Sequence, residues 1–360
     1  MPTRGPPRAR GGATRAHIRP TEGLATCWWR PALLADRRGR PHADRVPRRW
    51  VLVVGGGPLA SRLFDRRPEV DKVTRERLVE RVHMRWAAWR AQHAGQPEEY
   101  LAYLEGRGGP QRDEAVWYVG LTVALATACV EPVGMRWTIT KHNINRTTGI
   151  PTHEEFWSCI FRQTSEVVVV TTNYDILAER GLRHEPRPRV PRPGFHYGAG
   201  PEALAGGGYP SYAHIKRISA EGRVALLKLH GSVSWSVRAG HLVRYYDCRP
   251  ALRGDPAIVA PATTKSLAPA LVPMWEAAAG ALACSGAWVI VGYSLPPYDL
   301  LVRDLLRGSS SHHPDVHVFN PDPEAARRCA SCMPSATVHC HPGLPEGLTQ
   351  LDDVMTAIGP

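Results

Sequence analysis

The fold of this chain is decided by residues 50–64, whose sequence is WVLVVGGGPLASRLF. The first five residues are apolar and favour β-structure, which predicts a buried parallel strand. Three glycines follow them, and Pro58 suits the first turn of a helix. A strand, a glycine turn and a helix in this order predict the opening unit of an α/β domain with a parallel sheet.

The second half of the chain supports this fold class because short apolar runs alternate there with helical stretches. We expect strands at Val167–Thr171, Ala225–Leu229, Ala257–Val259, Trp288–Val291 and Val316–Phe319. We expect helices at Ile176–Gly181, Pro273–Cys284, Pro297–Arg307 and Pro323–Cys329. The Pro- and Gly-rich stretch Glu185–Ser211 is expected to be a long loop. This alternation predicts a Rossmann-like, doubly wound parallel sheet.

A helical insertion at about residues 74–162 is expected to interrupt the sheet. Apolar residues recur on one helical face of residues 74–94, and residues 97–106 and 113–130 form two further helical stretches. A capping box at Thr152 opens a fourth helix that runs to Arg162. The uncharged run Ala115–Val130 is short for a bilayer span, so we expect a buried core helix and no membrane association.

The first 49 residues differ in composition from the rest of the chain. They contain twelve arginines against three acidic residues, and therefore carry nine of the twelve net positive charges. This Arg- and Pro-rich segment has no apolar periodicity, which predicts a disordered tail. The rest is nearly neutral, so nucleic-acid binding is only weakly suggested, and only for the tail.

Eight cysteines in 360 residues are too dilute for a disulfide scaffold. The basic N-terminus is not followed by an apolar run of the length that a secretory signal requires. We therefore expect reduced thiols and a cytoplasmic location.

The glycine turn has the spacing of a dinucleotide-binding fingerprint, with Gly55, Gly57 and Ala60 after a strand. Glycines allow backbone N–H groups to approach a phosphate, and the helix N-terminus favours its negative charge. The usual acid at the end of a second strand is missing, since Asp71 is too near and follows no strand. This disfavours a hydride-transferring dehydrogenase, and a purely structural turn remains an alternative.

The segment Thr171–Asp175 (TTNYD) follows the predicted strand Val167–Val170 and so lies at the carboxyl edge of the sheet. Asn173 can both donate and accept hydrogen bonds, and could hold a water molecule or a ribose hydroxyl. Asp175 could accept a hydrogen bond from an amide NH₂. The alternative is that Asn173 or Asp175 merely caps the next helix.

Three further strand ends carry polar residues. His230 follows the strand Ala225–Leu229 beside Gly231, and an imidazole there suits a general base, although a structural histidine is the alternative. The segments GYSLP (292–296) and NPD (320–322) also follow predicted strands. Both could offer backbone amides and short polar side chains to a nucleotide.

Together, these motifs resemble the sirtuin-like superfamily, and specifically the bacterial sirtuin-like proteins of antiphage defence. The motifs occur in the order GGG (55–57), TTNYD (171–175), LHGS (229–232), GYSLP (292–296) and NPD (320–322). Trp275 lies in a predicted helix before the fourth motif. The resemblance covers roughly residues 50–345, which would form the NAD-binding domain, and leaves 346–360 as a C-terminal tail.

The resemblance implies roles in NAD binding and cleavage. Asn173 would hold the water or ribose near the scissile bond, Asp175 the nicotinamide carboxamide, and His230 would be the catalytic histidine. The residues implied in binding NAD are Gly55, Gly56 and Gly57 at the phosphates, Ser294 at the phosphates or ribose, Asn320 at the adenosine ribose, and their neighbours Thr172, Gly231 and Gly292. The sequence departs from the family at Pro58–Ala60, where a bulky residue and a serine are usual.

One missing element distinguishes between activities. Protein deacylases of this superfamily carry a four-cysteine zinc module after the catalytic histidine, whereas only Cys248 and Cys284 lie between His230 and Gly292. Structural zinc needs four ligands, so this module is absent. A second group of potential ligands comprises Cys329, Cys332, His339, Cys340 and His341, but we expect no metal there.

The resemblance therefore favours an NAD⁺ glycohydrolase that cleaves the nicotinamide–ribose bond. An activating partner or a homo-oligomer would accompany this activity. Two alternatives remain. One is an NAD-dependent protein deacylase or ADP-ribosyl transferase, and the other is a non-catalytic module that senses NAD or ADP-ribose.

Overall fold

The computed structural model describes residues 50–54, 63–64, 76–127, 131–133, 136–138, 150–164, 167–183, 194–198, 222–245, 248–262 and 267–358. The predicted disordered tail (1–49), the glycine turn (55–57) and most of the predicted loop (185–211) lie outside these residues.

The strands and helices of the described residues follow the predicted alternation. The strands are β1 (Trp50–Val54), β2 (Glu131–Val133), β3 (Arg136–Thr138), β4 (Val167–Thr171), β5 (Gly194–His196), β6 (Gly222–Lys228), β7 (Gly231–Ser232), β8 (Trp235–Arg238), β9 (His241–Arg244), β10 (Ala257–Ile258), β11 (Ala287–Val291), β12 (Asp315–Phe319) and β13 (Thr337–His341). The helices are α1 (Glu76–His93), α2 (Pro97–Arg107), α3 (Pro110–Ala126), α4 (Ile150–Gln163), α5 (Leu177–Arg183), α6 (Arg249–Arg253), α7 (Val272–Ala283), α8 (Leu300–Ser309), α9 (Pro323–Cys332) and α10 (Leu348–Ile358).

Seven strands form one parallel sheet in the order β13-β12-β11-β1-β4-β6-β5. Strand β1 is central, and Leu52 pairs with Val169 of β4 on one side and with Val289 of β11 on the other. The chain first adds β4, β5 and β6 on one side of β1, with β6 between β4 and the edge strand β5, and then builds β11, β12 and β13 on the other side. This reversal defines a doubly wound sheet, so the predicted α/β fold class is confirmed.

The central strands are apolar because helices cover the sheet. Strand β11 is buried along its whole length, and Val51, Val169 and Trp288 have no exposed surface. A strand that is buried on both faces has a continuous apolar sequence rather than alternating apolar and polar residues. The sequences VVVVT of β4 and AWVIV of β11 show this pattern.

The predicted strand Ala257–Val259 is not part of this sheet, and that prediction is wrong. Strand β10 instead pairs antiparallel with β7, with Ile258 opposite Gly231. It is bounded by Pro256 and Pro261, and proline cannot donate to a strand ladder, so the segment is too short to cross the sheet. It lies across the turn that follows β6. Residues 194–196, inside the predicted long loop, form the edge strand β5.

Helices α1, α2 and α3 lie within the range of the predicted helical insertion and share a hydrophobic cluster with Phe64 and with Ile258 of β10. The fourth helix expected in the insertion, α4, packs instead in the core of the sheet through Trp157 and Ile160. Phe64 stacks on Trp86 and Tyr118, and Tyr100 packs edge-on against Phe64. The middle of α3 is fully buried, which confirms the predicted core helix. Among the described helices, none is long and apolar enough to cross a membrane.

The last helix, α10, falls within the segment predicted as a C-terminal tail. Its Leu351 and Met355 are buried in the same core as the central strands. On α10, the Asp352 carboxylate accepts a hydrogen bond from Gln163 and pairs with Arg162 of α4. The chain thus continues to pack against the domain beyond residue 345.

Candidate functional site

The register of the sheet brings the predicted site residues to one edge. Thr171, at the end of β4, pairs with Lys228 of β6 and with Val54 of β1. On the other side, Val54 pairs with Val291 of β11, which pairs with Phe319 of β12. The described residues that follow these strand ends therefore leave the sheet side by side. They are Thr172, Leu229, Gly292 and Asn320.

His230 is held between two aromatic rings behind this edge. It is 3% exposed, and its ring lies 5.9 Å from that of Tyr174, at 28°, and 6.1 Å from that of Trp275. The indole of Trp275 donates a hydrogen bond of 2.8 Å to the Leu229 carbonyl. The imidazole is therefore enclosed, with aromatic rings among its neighbours.

Gly231 provides the turn that orients His230. Its φ is +77°, and a Cβ at this position would lie 2.0 Å from the carbonyl oxygen of Ala257. The His230 carbonyl accepts a hydrogen bond of 2.9 Å from the Val259 N–H. Only glycine combines this backbone conformation with the close approach of β10.

Asp299 faces His230 and was not predicted from the sequence. Its Oδ1 lies 3.6 Å from Nε2 of His230, and its Oδ2 accepts a hydrogen bond of 2.6 Å from the Tyr293 hydroxyl. Asp299 immediately precedes α8, where an aspartate is ordinarily explained as a helix cap. The Asp299 side chain makes no capping hydrogen bond, so capping does not explain its position next to His230.

Three tyrosines near His230 are kept neutral. Burial, followed by the charge of Asp299, raises the pKa values of Tyr174 and Tyr293 well above their usual range. The pKa of Tyr298 is also raised, first by burial and then by the Glu98 carboxylate. Glu98 belongs to α2 and is itself buried, so the helical insertion borders this cluster.

Asn173 and Asp175 lie in the turn between β4 and α5. The Asn173 backbone N–H donates to Oγ1 of Thr171 over 3.1 Å, and its half-buried side chain makes no hydrogen bond to a described residue. Oδ1 of Asp175 accepts a hydrogen bond of 2.9 Å from the Leu177 N–H. Asp175 therefore caps the helix with one oxygen, as in the alternative weighed from the sequence. Thr172 is buried.

A buried ion pair stands behind this turn. Nζ of Lys228 lies 3.0 Å from Oε1 of Glu179 on α5 and also donates to the backbone carbonyl of Asp175. The Tyr197 hydroxyl donates to the same Glu179 oxygen. Sequence reasoning missed this pair, although a lysine ending the apolar run VALLK is a signal of a buried partner.

The remaining predicted residues lie at the ends of β11 and β12. Gly292 has φ +65°, and its N–H donates to the Phe319 carbonyl over 2.9 Å. The carbonyl of the half-buried Ser294 accepts a hydrogen bond of 2.6 Å from Nε of Arg328. Oδ1 of Asn320 accepts one of 2.9 Å from the Asp322 N–H.

A cleft of about 480 Å³ opens beside Asn320, which is within the size range of small-molecule sites. Residues that line it include Asn320, Pro321, His341, Gly343 and Glu346. The cleft is at the same sheet edge as the strand ends described above, on the side away from His230.

The second group of potential metal ligands does not converge. Cys329 and Cys332 are buried in the core, where the Cys332 thiol donates to the Arg303 carbonyl, whereas Cys340 is exposed on β13. Within the described ranges, no three His, Cys, Asp or Glu side chains are grouped so that they could hold a metal ion.

Comparisons with known proteins find similarity at the level of structure. No family model matches the sequence, and no curated protein does. A mutant Sir2 homologue in complex with 2′-O-acetyl ADP-ribose matches with a TM-score of 0.43 and 12% identity, over 86% of this chain and 92% of that chain. A structure from work on the mechanism and regulation of Sir2 enzymes matches with a TM-score of 0.41 and 13% identity, over 86% and 93%.

Proposed function

We propose that this protein is an NAD⁺ glycohydrolase that cleaves the bond between nicotinamide and ribose. The observation that carries the proposal is the shared register of Lys228, Thr171, Val54, Val291 and Phe319. Because of it, the described turns after β4, β6, β11 and β12 leave the sheet at one edge, around the switch between β1 and β11, and open α/β sheets bind ligands at such a switch. The motif resemblance to sirtuin-like proteins supplies the identity of the ligand.

The dinucleotide would extend along this edge. The backbone of Gly55, Gly56 and Gly57 would hold the phosphates, as glycine turns before helices do. Gly292 and Ser294 would face the phosphates or a ribose, and Asn320 the adenosine ribose beside the 480 Å³ cleft. Thr172 and Gly231 would line the nicotinamide half, beside Asn173 and His230.

In the reaction, the C1′–N bond breaks and its electron pair leaves with nicotinamide, which becomes neutral. The water oxygen bonds to C1′, and the products are nicotinamide, ADP-ribose and one proton. Asn173 would orient this water, Asp175 would accept a hydrogen bond from the carboxamide, and His230 would take the proton. The bond breaks through an oxocarbenium-like state, so positioning supplies much of the acceleration.

One observation favours a second candidate. His230 is almost completely buried, which suits a binding residue as well as a base. The second candidate is therefore a module that binds NAD or ADP-ribose without cleaving it. The resemblance to antiphage-defence proteins supports depletion of bacterial cytoplasmic NAD⁺ as the outcome of the first candidate, switched on by a partner or by self-assembly.

Incubation with NAD⁺ tests the proposal, with nicotinamide and ADP-ribose measured by chromatography. Equal amounts of the two products, formed without any acyl peptide, would support the glycohydrolase. Release that requires an acetylated peptide and yields acetylated ADP-ribose would indicate a deacylase instead. Stoichiometric binding by calorimetry without release, even at protein concentrations that promote assembly, would favour the sensing module.

A further inference from the structure

We propose that Asp299 is a positioning residue for His230, fixing the tautomer of the imidazole and raising its affinity for a proton. The effect on turnover rests on the proposed function, whereas the effect on the imidazole itself does not. Asp299 acts through His230 and is not proposed to touch the substrate.

The carboxylate of Asp299 is held on two sides. One oxygen lies 3.6 Å from Nε2 of His230, and the other accepts the Tyr293 hydroxyl at 2.6 Å. The side chains of His230 and Asp299 are 4% and 3% exposed, so water screens their attraction poorly. At 3.6 Å the two groups are within ion-pair distance but beyond hydrogen-bond distance.

Among the described residues, the tyrosines near His230 and Asp299 carry no charge. Tyr174 stacks on the imidazole and donates its hydroxyl to the Val259 carbonyl, and burial keeps it protonated. Tyr293, from the turn after β11, and Tyr298, before α8, are protonated for the same reason. Glu98 of α2 lies by Tyr298. Of the described residues, Asp299 is the carboxylate within ion-pair distance of His230.

Two consequences follow from this geometry. The negative charge of the carboxylate faces Nε2, so it favours the tautomer of His230 with its proton on Nε2 and its lone pair on Nδ1. An opposite charge at this distance also favours the imidazolium over the neutral ring. Both make the ring a better base, which is the logic by which a third group orients a catalytic histidine.

The test compares Asp299→Asn with Asp304→Asn, which changes an exposed carboxylate on α8, the helix that follows Asp299. Two quantities are followed against pH: kcat/KM for NAD⁺ and the NMR titration of the His230 imidazole, assigned with His230→Gln. In Asp299→Asn the imidazole should titrate about 1–3 pH units lower, and the acidic limb of kcat/KM should move down with it. Asp304→Asn should leave both unchanged. A purely structural role would lower activity without moving either titration.

The titration does not depend on turnover, so the two proposals fail separately. If the intact protein does not cleave NAD⁺ but Asp299→Asn shifts the imidazole, the proposed function falls and the pairing stands. If the protein cleaves NAD⁺ and Asp299→Asn changes neither titration, the positioning role is overturned. If Asp299→Asn does not fold, Tyr293→Phe is measured instead. It removes the hydrogen bond to one Asp299 oxygen, so more negative charge remains on the oxygen that faces His230 and the imidazole should titrate at higher pH. An unchanged titration in Tyr293→Phe overturns the pairing.

Discussion

Lys228 and Glu179 form an ion pair of 3.0 Å whose side chains are only 1% and 2% exposed. The same ammonium donates to the carbonyl of Asp175. Lys228 lies two residues before His230, and Asp175 lies two residues after Asn173. This one contact therefore ties together the two turns that carry the proposed catalytic side chains.

Removing Lys228 should destabilise the fold strongly. Lys228→Met leaves the Glu179 carboxylate buried without its cation, which should cost about 3–5 kcal/mol in the free energy of unfolding. Chemical denaturation measures this cost. Arg238→Met, which breaks an exposed pair with Asp255, is the control and should cost at most about 1 kcal/mol. Equal costs for the two variants would show that Lys228 does not act as a buried charge.

Substitution of Gly231 should disrupt the His230 turn. Gly231→Ala places a Cβ 2.0 Å from the Ala257 carbonyl at a φ of +77°, so β10 or the turn must move. Gly240→Ala is the control, since it has a similar φ of +82° but open space around it. The control should lose about 1–2 kcal/mol of stability from the backbone alone. Gly231→Ala should lose more, together with NAD⁺ cleavage, and equal losses would contradict the steric role.

Asn173 and His230 should both be required for NAD⁺ cleavage. Asn173→Ala should abolish nicotinamide release with little change in stability, because its half-buried side chain makes no hydrogen bond to a described residue. His230→Gln should also abolish release, and it avoids the cavity that alanine would leave between Tyr174 and Trp275. Product chromatography and thermal melting measure the two effects. Near-normal turnover in either variant would remove that residue from the mechanism.

His317 should make the fold sensitive to acid. Burial, followed by the charges of His339 and His341, lowers the pKa of His317 from 6.5 to about 4. Below pH 6.5 the unfolded chain therefore takes up a proton that the native state does not, and the free energy of unfolding falls until about pH 4. His317→Gln should flatten this dependence in denaturation measured at several pH values. His241→Gln, at an exposed histidine of β9, should leave the pH dependence unchanged. Equal flattening of the pH dependence in both variants would contradict the assignment to His317.

The purified protein should contain no stoichiometric zinc. Cys329 and Cys332 are enclosed in the core, and burial raises the pKa of Cys329 to about 12, which disfavours the thiolate that binds zinc. Elemental analysis should find far less than one zinc per chain, and a chelator should not change the melting temperature. One tightly bound zinc that stabilises the protein would overturn this expectation.

The sequence by itself determined the architecture and the order of the motifs. Strand β4 has the predicted bounds, and β11 and β12 each begin one residue earlier than predicted. Five-residue apolar runs that end at glycine or polar residues have few alternatives to a buried parallel strand. The carboxyl ends of parallel strands share an edge, so Asn173, His230 and Asn320 could be assigned to it without coordinates.

Only the tertiary structure decided which side chains meet behind that edge. Asp299 and His230, Lys228 and Glu179, and β10 and the Gly231 turn are each joined across long stretches of chain. Local patterns indicate whether a residue is buried, but a buried charge or a short strand finds its partner only when whole elements dock. From the sequence alone, an aspartate before a helix predicts a helix cap. In the folded chain the Asp299 carboxylate instead lies next to the His230 imidazole.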